Sequence, residues 1–249
     1  MYVSLLCLLL LSPQLVDRTK EFEKPPADAS ELSPEKRADI FMARKMYREA
    51  AESYKEALRG EPQQARLHNK LGISYHQQLN FRQARRSYER ASKLDKKYAQ
   101  AVNNLGTVYY AQGSYKKAQR QYEKALKIRP GSASIYSNLG TAFFARRKYK
   151  KASAAYMTAL QLDPEVFERR GEGGTLLQER SVRDRARYHY FMAQAYARAE
   201  IYDRALLYLR RSLEEGYGKP ARAAKDSAFE AMREMPAFQA LVNPEARPS

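Results

Sequence analysis

Tryptophan is absent, cysteine occurs once and histidine three times in 249 residues. With Cys7 alone, no intramolecular disulfide can form and no cysteine-based metal site can be built. His68, His76 and His189 have no closely spaced carboxylate or thiol beside them to complete a zinc site, so they read as core or groove residues. Acidic residues are also in short supply, 28 against 45 basic, giving a formal net charge of +17. That imbalance favours acidic partners, whether proteins, phospholipid surfaces or nucleic acid.

Long apolar runs are scarce too. The only one lies within the uncharged residues 1–16, and it is too short to span a bilayer as a helix. Its length suits the apolar core of a secretory signal. However, no basic residue precedes it, no small-x-small site follows closely, and Leu5 and Leu6 stand before Cys7 where a lipoprotein signal has small residues. The expectation is export or attachment to the cell envelope, with membrane association through the N-terminus. The alternative is a hydrophobic tail or mis-assigned start on a cytoplasmic protein. Residues 17–30, with Pro25 and Pro26, read as a linker.

Signatures of catalysis are missing. The stretch Gly171-Glu172-Gly173-Gly174 lacks the Gly-Lys-Ser/Thr ending of a phosphate loop, and no serine or cysteine has a nucleophile motif around it. The sequence therefore calls for a binding protein without a cofactor, and not an enzyme.

What is abundant is self-similarity. Gly72, Gly106 and Gly140 are 34 residues apart, as are Leu71, Leu105 and Leu139. The same step joins Tyr75, Tyr109 and Phe143, then Ala84, Ala118 and Ala152, then Tyr88, Tyr122 and Tyr156, then Ala91, Ala125 and Ala159. Within one period the apolar spacing describes two amphipathic helices. In the third period these fall at residues 100–112 and 115–128, with Gln112-Gly113-Ser114 as the turn. Small residues mark where helices approach closely, and Pro130 and Pro164 stop the second helices. A single unit cannot bury its own apolar face, so units must stack.

Leu105-Gly106, Tyr109, Ala118, Tyr122, Ala125 and Pro130 resemble the 34-residue pattern of the tetratricopeptide-repeat (TPR) family, with Val102 where the family has tryptophan. The resemblance implies an all-α, right-handed α-solenoid of about five helix-turn-helix units. Three units match well, 65–98, 99–132 and 133–166. Unit 31–64 matches in its second helix only, with Arg37-Ala38 in place of Leu-Gly. Unit 186–219 carries Met192-Ala193, Tyr196, Ala205 and Leu209, displaced by a charged, glycine-bearing insert at 167–185. Residues 220–249 are expected to form capping helices and a tail.

The resemblance also implies a concave groove lined by first helices, which takes an extended peptide or helix of a partner protein. By phase its lining is Asn69, Lys70, Gln100, Asn103, Asn104, Thr107, Ser137, Asn138, Thr141, Tyr190 and Gln194. Asn104 and Asn138 recur one repeat apart, and an amide can pair with any extended backbone. The alternative is that they pack against the neighbouring repeat. A clamp for chaperone C-termini is disfavoured, because Glu35 and Asp39 stand where it needs a lysine and an asparagine.

A second surface is basic. Residues 65–130 hold 15 Lys or Arg and 3 Asp or Glu. Arg82, Arg86, Arg90 and Lys93 share one face of a second helix, and Lys116, Arg120, Lys124 and Lys127 repeat that spacing. They form a ridge that is either a solvated outer face or a site for an anionic membrane, acidic protein or nucleic acid. Nucleic acid is disfavoured, because the tyrosines keep core phase and are not free for base stacking.

Overall fold

The computed structural model describes residues 32–168 and 182–243. Five helix pairs follow one another: α1 (Pro34–Ala43) with α2 (Tyr47–Gly60), α3 (Ala65–Gln77) with α4 (Phe81–Leu94), α5 (Ala99–Ala111) with α6 (Tyr115–Ile128), α7 (Ala133–Ala145) with α8 (Tyr149–Leu162), and α9 (Val182–Arg198) with α10 (Tyr202–Glu214). Two short helices, α11 (Pro220–Lys225) and α12 (Pro236–Val242), flank a 3₁₀ turn at Ser227–Met232. No strand occurs among the described residues. The helices of each pair pack on one another, and the second helices α2, α4, α6 and α8 each pack on the first helix of the next unit, which makes an α-solenoid. Successive first helices α3, α5 and α7 also touch one another, so they occupy the inner side of the curve. The N-terminal run and most of the glycine-bearing insert lie outside the described residues. Among those described, no helix is long and apolar enough to cross a membrane.

The small-residue columns explain how the pairs close. An ideal Cβ on Gly72, Gly106 or Gly140 would lie 2.5 Å from the ring of Tyr88, Tyr122 or Tyr156 respectively. The ring therefore occupies the space that a side chain would take, and all three rings are buried. Their phenolic ends find the first helix as well. The hydroxyls of Tyr122 and Tyr156 donate to Oγ1 of Thr107 and Thr141 at 3.4 and 3.3 Å. In the first unit, Tyr54 donates to Asp39 Oδ1 at 2.5 Å in the same register.

Every pair turns in the same way. The amides of Met46, Asn80, Ser114, Lys148 and Ile201 reach back five residues to a carbonyl at 2.8–2.9 Å. The residue before each has positive φ: Lys45, Leu79, Gly113, Arg147 and Glu200. This is the Schellman closure, which needs a left-handed residue just past the helix end. Only Gly113 supplies it without a Cβ penalty.

The C-terminal segment caps the stack. Phe229, Met232 and Phe238 are buried, and Phe229 packs edge-on against Tyr190 of α9. Without this cover, α9 and α10 would expose the apolar face that the next unit buries elsewhere.

Candidate functional site

Polar residues on the inner helices split into two sets. One set joins first helices in a ladder, each rung spanning one repeat. Lys70 Nζ donates to Glu35 at 2.8 Å and to both Asp39 oxygens at 2.6–2.7 Å. Asn104 Nδ2 donates to Asn69 Oδ1 at 3.0 Å, and Asn138 Nδ2 to Asn103 Oδ1 at 2.9 Å. Partners on the same two columns therefore change from a salt bridge to amide pairs as the stack proceeds.

This ladder corrects the expected groove lining. Asn69, Asn103, Ser137, Asn138, Thr141 and Tyr190 are all buried. The asparagines hold neighbouring repeats together, and Thr141 receives a core tyrosine hydroxyl. Asn138 is 0% exposed and cannot touch a bound peptide. Tyr190 and Gln194 are engaged by the cap, with the Tyr190 hydroxyl and Gln194 Nε2 donating to Asp226 Oδ2 at 2.9 and 2.7 Å. Asp226 thus stands where the next repeat's rung would be.

Lys70 keeps its place on the inner face but not a free charge. Partial burial opposes its ammonium, yet Asp39 and Glu35 outweigh that and hold its pKa above the ordinary value. Glu35 responds in the opposite direction. Burial would raise its carboxyl, but the bonds and charges of Lys70 and Arg66 hold it below the ordinary carboxylate value.

The second set is open. Arg66 and Gln100 are exposed and Ser134 is half-buried, one turn ahead of the ladder on α3, α5 and α7. Allowing for the 19-residue displacement of the fifth unit, Arg187 on α9 continues this column. Arg66 forms a bidentate pair with Glu35. Asn104 and Thr107 are half-buried beside the column and show an edge to it.

At the far end of the groove, phase carried across the 19-residue displacement places Arg187, Phe191 and Gln194 in the lining. There Phe191 takes the column of Lys70, Asn104 and Asn138, and the ladder gives way to aromatics. Phe191 stacks on Tyr149 at 5.0 Å, and Phe144 meets Tyr149, Tyr188 and Phe191 edge-on. The Arg187 guanidinium lies over Tyr149 and Tyr217 at 5.2 and 5.3 Å, and it bonds the Tyr149 hydroxyl. Phase gives the place of Phe191 and Arg187 but not the cluster of rings from α7 and α8 that they join.

The cations of the ridge lie on the second helices α4 and α6. Arg82, Arg86, Arg90, Lys93, Lys116, Arg120, Lys124 and Lys127 are all exposed. None forms a salt bridge among the described residues, and Arg90 donates to Gln63 at 2.9 Å.

The histidines are held locally. His68 meets the Pro62 carbonyl, His189 meets Glu215, and His76 sits edge-on to Phe81. Burial holds the His76 imidazole pKa below its ordinary value. Among the described residues, no cluster of His, Cys, Asp and Glu is placed to hold a metal ion.

A solenoid of helix pairs, with an inner polar face and a capped end, is the architecture of a helical-repeat protein. The TPR repeat model matches residues 38–78, 80–113 and 106–146, and the tetratricopeptide repeat model matches 133–166. The chain belongs to the tetratricopeptide-repeat family. No curated protein matches it. Among solved structures, PilF of Pseudomonas aeruginosa is 16% identical, with 88% of this chain and 90% of that one covered and a TM-score of 0.55. MamA of Desulfovibrio magneticus RS-1, from residue 41 onward, is 20% identical, with 77% and 97% covered and a TM-score of 0.53. At these identities the likeness is one of fold.

Proposed function

We propose that the protein is an interaction scaffold whose concave groove holds an extended segment or helix of a partner protein. The supporting observation is the open column of Arg66, Gln100, Ser134 and Arg187, which recurs on four first helices. The neighbouring columns are closed, or in part closed, by the ladder, the core or the cap. A partner following it would meet polar tips at a repeat-length interval, with Asn104 and Thr107 beside them. Such contacts give grip with modest sequence preference, since each hydrogen bond nets about 1 kcal/mol. The far end, Arg187 on its aromatic rings, suits an acidic or carboxylate-bearing residue of the partner.

The test is affinity capture with the full chain from its native source, with and without Gln100→Arg/Ser134→Arg. These positions are surface ones, so the fold should survive, as circular dichroism would verify. Loss of the captured partners is expected. A variant that retains every partner would remove the groove from the proposal. Asn138 is unsuitable for this purpose, because its replacement disturbs the repeat interface. The uncharged N-terminal run supports a further reading of export or envelope attachment, and N-terminal sequencing of the mature protein tests it.

A further inference from the structure

We infer that the outer face of the second and third units is a docking surface for an acidic phospholipid bilayer. This goes beyond the groove and does not depend on it. Four columns of the second helices carry the charge: Arg82, Arg86, Arg90 and Lys93 on α4, then Lys116, Arg120, Lys124 and Lys127 on α6. The same columns read Arg48, Glu52, Glu56 and Arg59 in the first unit, and Lys150, Ala154, Thr158 and Gln161 in the fourth. The complete four-cation stripe is therefore confined to two adjacent units and is not a property of the repeat.

Nothing within the described chain neutralises it. Some cations elsewhere do find carboxylates, as Arg37 finds Glu56, Lys70 finds Glu35 and Asp39, and Arg185 finds Glu215. On the ridge helices the two acids turn aside. Glu89 lies beside Arg85 at 3.8 Å, and Glu123 accepts from Gln119 at 2.5 Å. Eight exposed cations without a carboxylate partner among the described residues, at 34-residue register, are a surface of one sign, and its complement is a surface of the other sign. At one edge a cleft of about 540 Å³ is lined by Lys116, Lys117, Arg120 and Arg146. It lies at the start of α6, where first-turn amides have no helical acceptor, and it has room for a phosphate-bearing headgroup.

Lipid fits better than nucleic acid for two reasons. The face offers no stacking platform, since Tyr88 and Tyr122 of these helices are buried and Tyr115 lies against Tyr110. Single-strand binding relies on open aromatic rings. In addition, the sequence carries the uncharged apolar run 1–16, and one hydrophobic anchor joined to a polybasic patch is the pairing that gives stable membrane attachment.

Flotation of the full chain with vesicles tests the inference. Vesicles of pure phosphatidylcholine are compared with ones holding about 30% phosphatidylglycerol, at low and high salt. Wild type should bind the anionic vesicles more tightly and lose that increment in high salt. The variant Arg86→Gln/Arg90→Gln/Arg120→Gln/Lys124→Gln should lower binding to the anionic vesicles by up to about a thousandfold, with neutral-vesicle binding unchanged. A control of equal charge, Lys36→Gln/Lys45→Gln/Arg48→Gln/Arg59→Gln, should keep it. Thermal melts confirm that both fold. The inference is overturned if the ridge variant binds as wild type, or if the control loses as much. It is also overturned if a single-stranded RNA displaces the vesicles through the same residues.

Discussion

At the residue scale, the repeat rests on a ring pressed against a bare backbone. A methyl on Gly106 would lie 2.5 Å from the Tyr122 ring, so Gly106→Ala forces the ring or the helix to shift and should cost about 1–3 kcal/mol. The fifth unit shows the alternative solution, Ala193 and Leu209 at the same two columns, both buried. Urea unfolding of Gly106→Ala, Tyr122→Leu and the double variant should therefore show a double change smaller than the sum. Strict additivity would mean that the two positions do not compete for one space. The opposite sign is expected at Leu79, which is left-handed and 71% exposed. Leu79→Gly removes an unfavourable conformation costing about 1–2 kcal/mol and gives back part of that in unfolded-chain entropy. A net rise in the urea midpoint should follow. The ring–glycine columns were legible in the sequence because both residue types are constrained by sterics. The left-handed turns were legible only at Gly113. Lys45, Leu79, Arg147 and Glu200 carry no local preference for that conformation, and the back-bonded closure of each helix pair imposes it.

At the element scale, the first helices are joined by polar rungs that decide which side chains remain for a partner. Asn103 is buried and its Oδ1 receives the amide of fully buried Asn138. Asn103→Ala would leave that donor without its acceptor, at a cost of about 1–3 kcal/mol. Asn104 is half-buried, so water can replace its bond to Asn69, and Asn104→Ala should cost less. Chemical denaturation of the two single variants checks the order, and equal losses would contradict the ladder. The existence and pairing of the helices followed from periodicity alone, down to the third unit's second helix at Tyr115–Ile128. The groove lining did not follow. Adjacent columns such as Asn103 and Asn104 differ by 100° around the helix, and one of them faces the next repeat while the other borders solvent. Periodicity locates a polar face, but only the packing of neighbouring first helices shows how much of it they cover. The ridge was readable because nothing packs on the outside of second helices, so exposure there follows directly from phase.

At the scale of the whole molecule, charge is segregated. The first unit's acids are matched by the second unit's cations across the inner face, while the outer face of the second and third units stays positive. That arrangement sets how stability responds to pH. Glu35, held below the ordinary carboxylate value by Lys70 and Arg66, contributes stability above its unfolded pKa. The contribution is lost as pH falls through the lower folded value, at strongly acid pH. His76 acts in a milder window. Burial holds its imidazole below the ordinary value, so the unfolded chain binds a proton before the folded one does. Unfolding therefore takes up protons as pH drops below about 6.5, and stability must fall with it. The stabilisation is full above that unfolded value and disappears as pH passes down through the folded one. Urea midpoints measured between about pH 8 and pH 5 should be flat at the upper end and decline below about pH 6.5. His76→Gln retains a polar group against Phe81 but cannot titrate, so its decline over that interval should be shallower than that of wild type. Parallel curves for the two proteins would show that His76 is not the source of the decline.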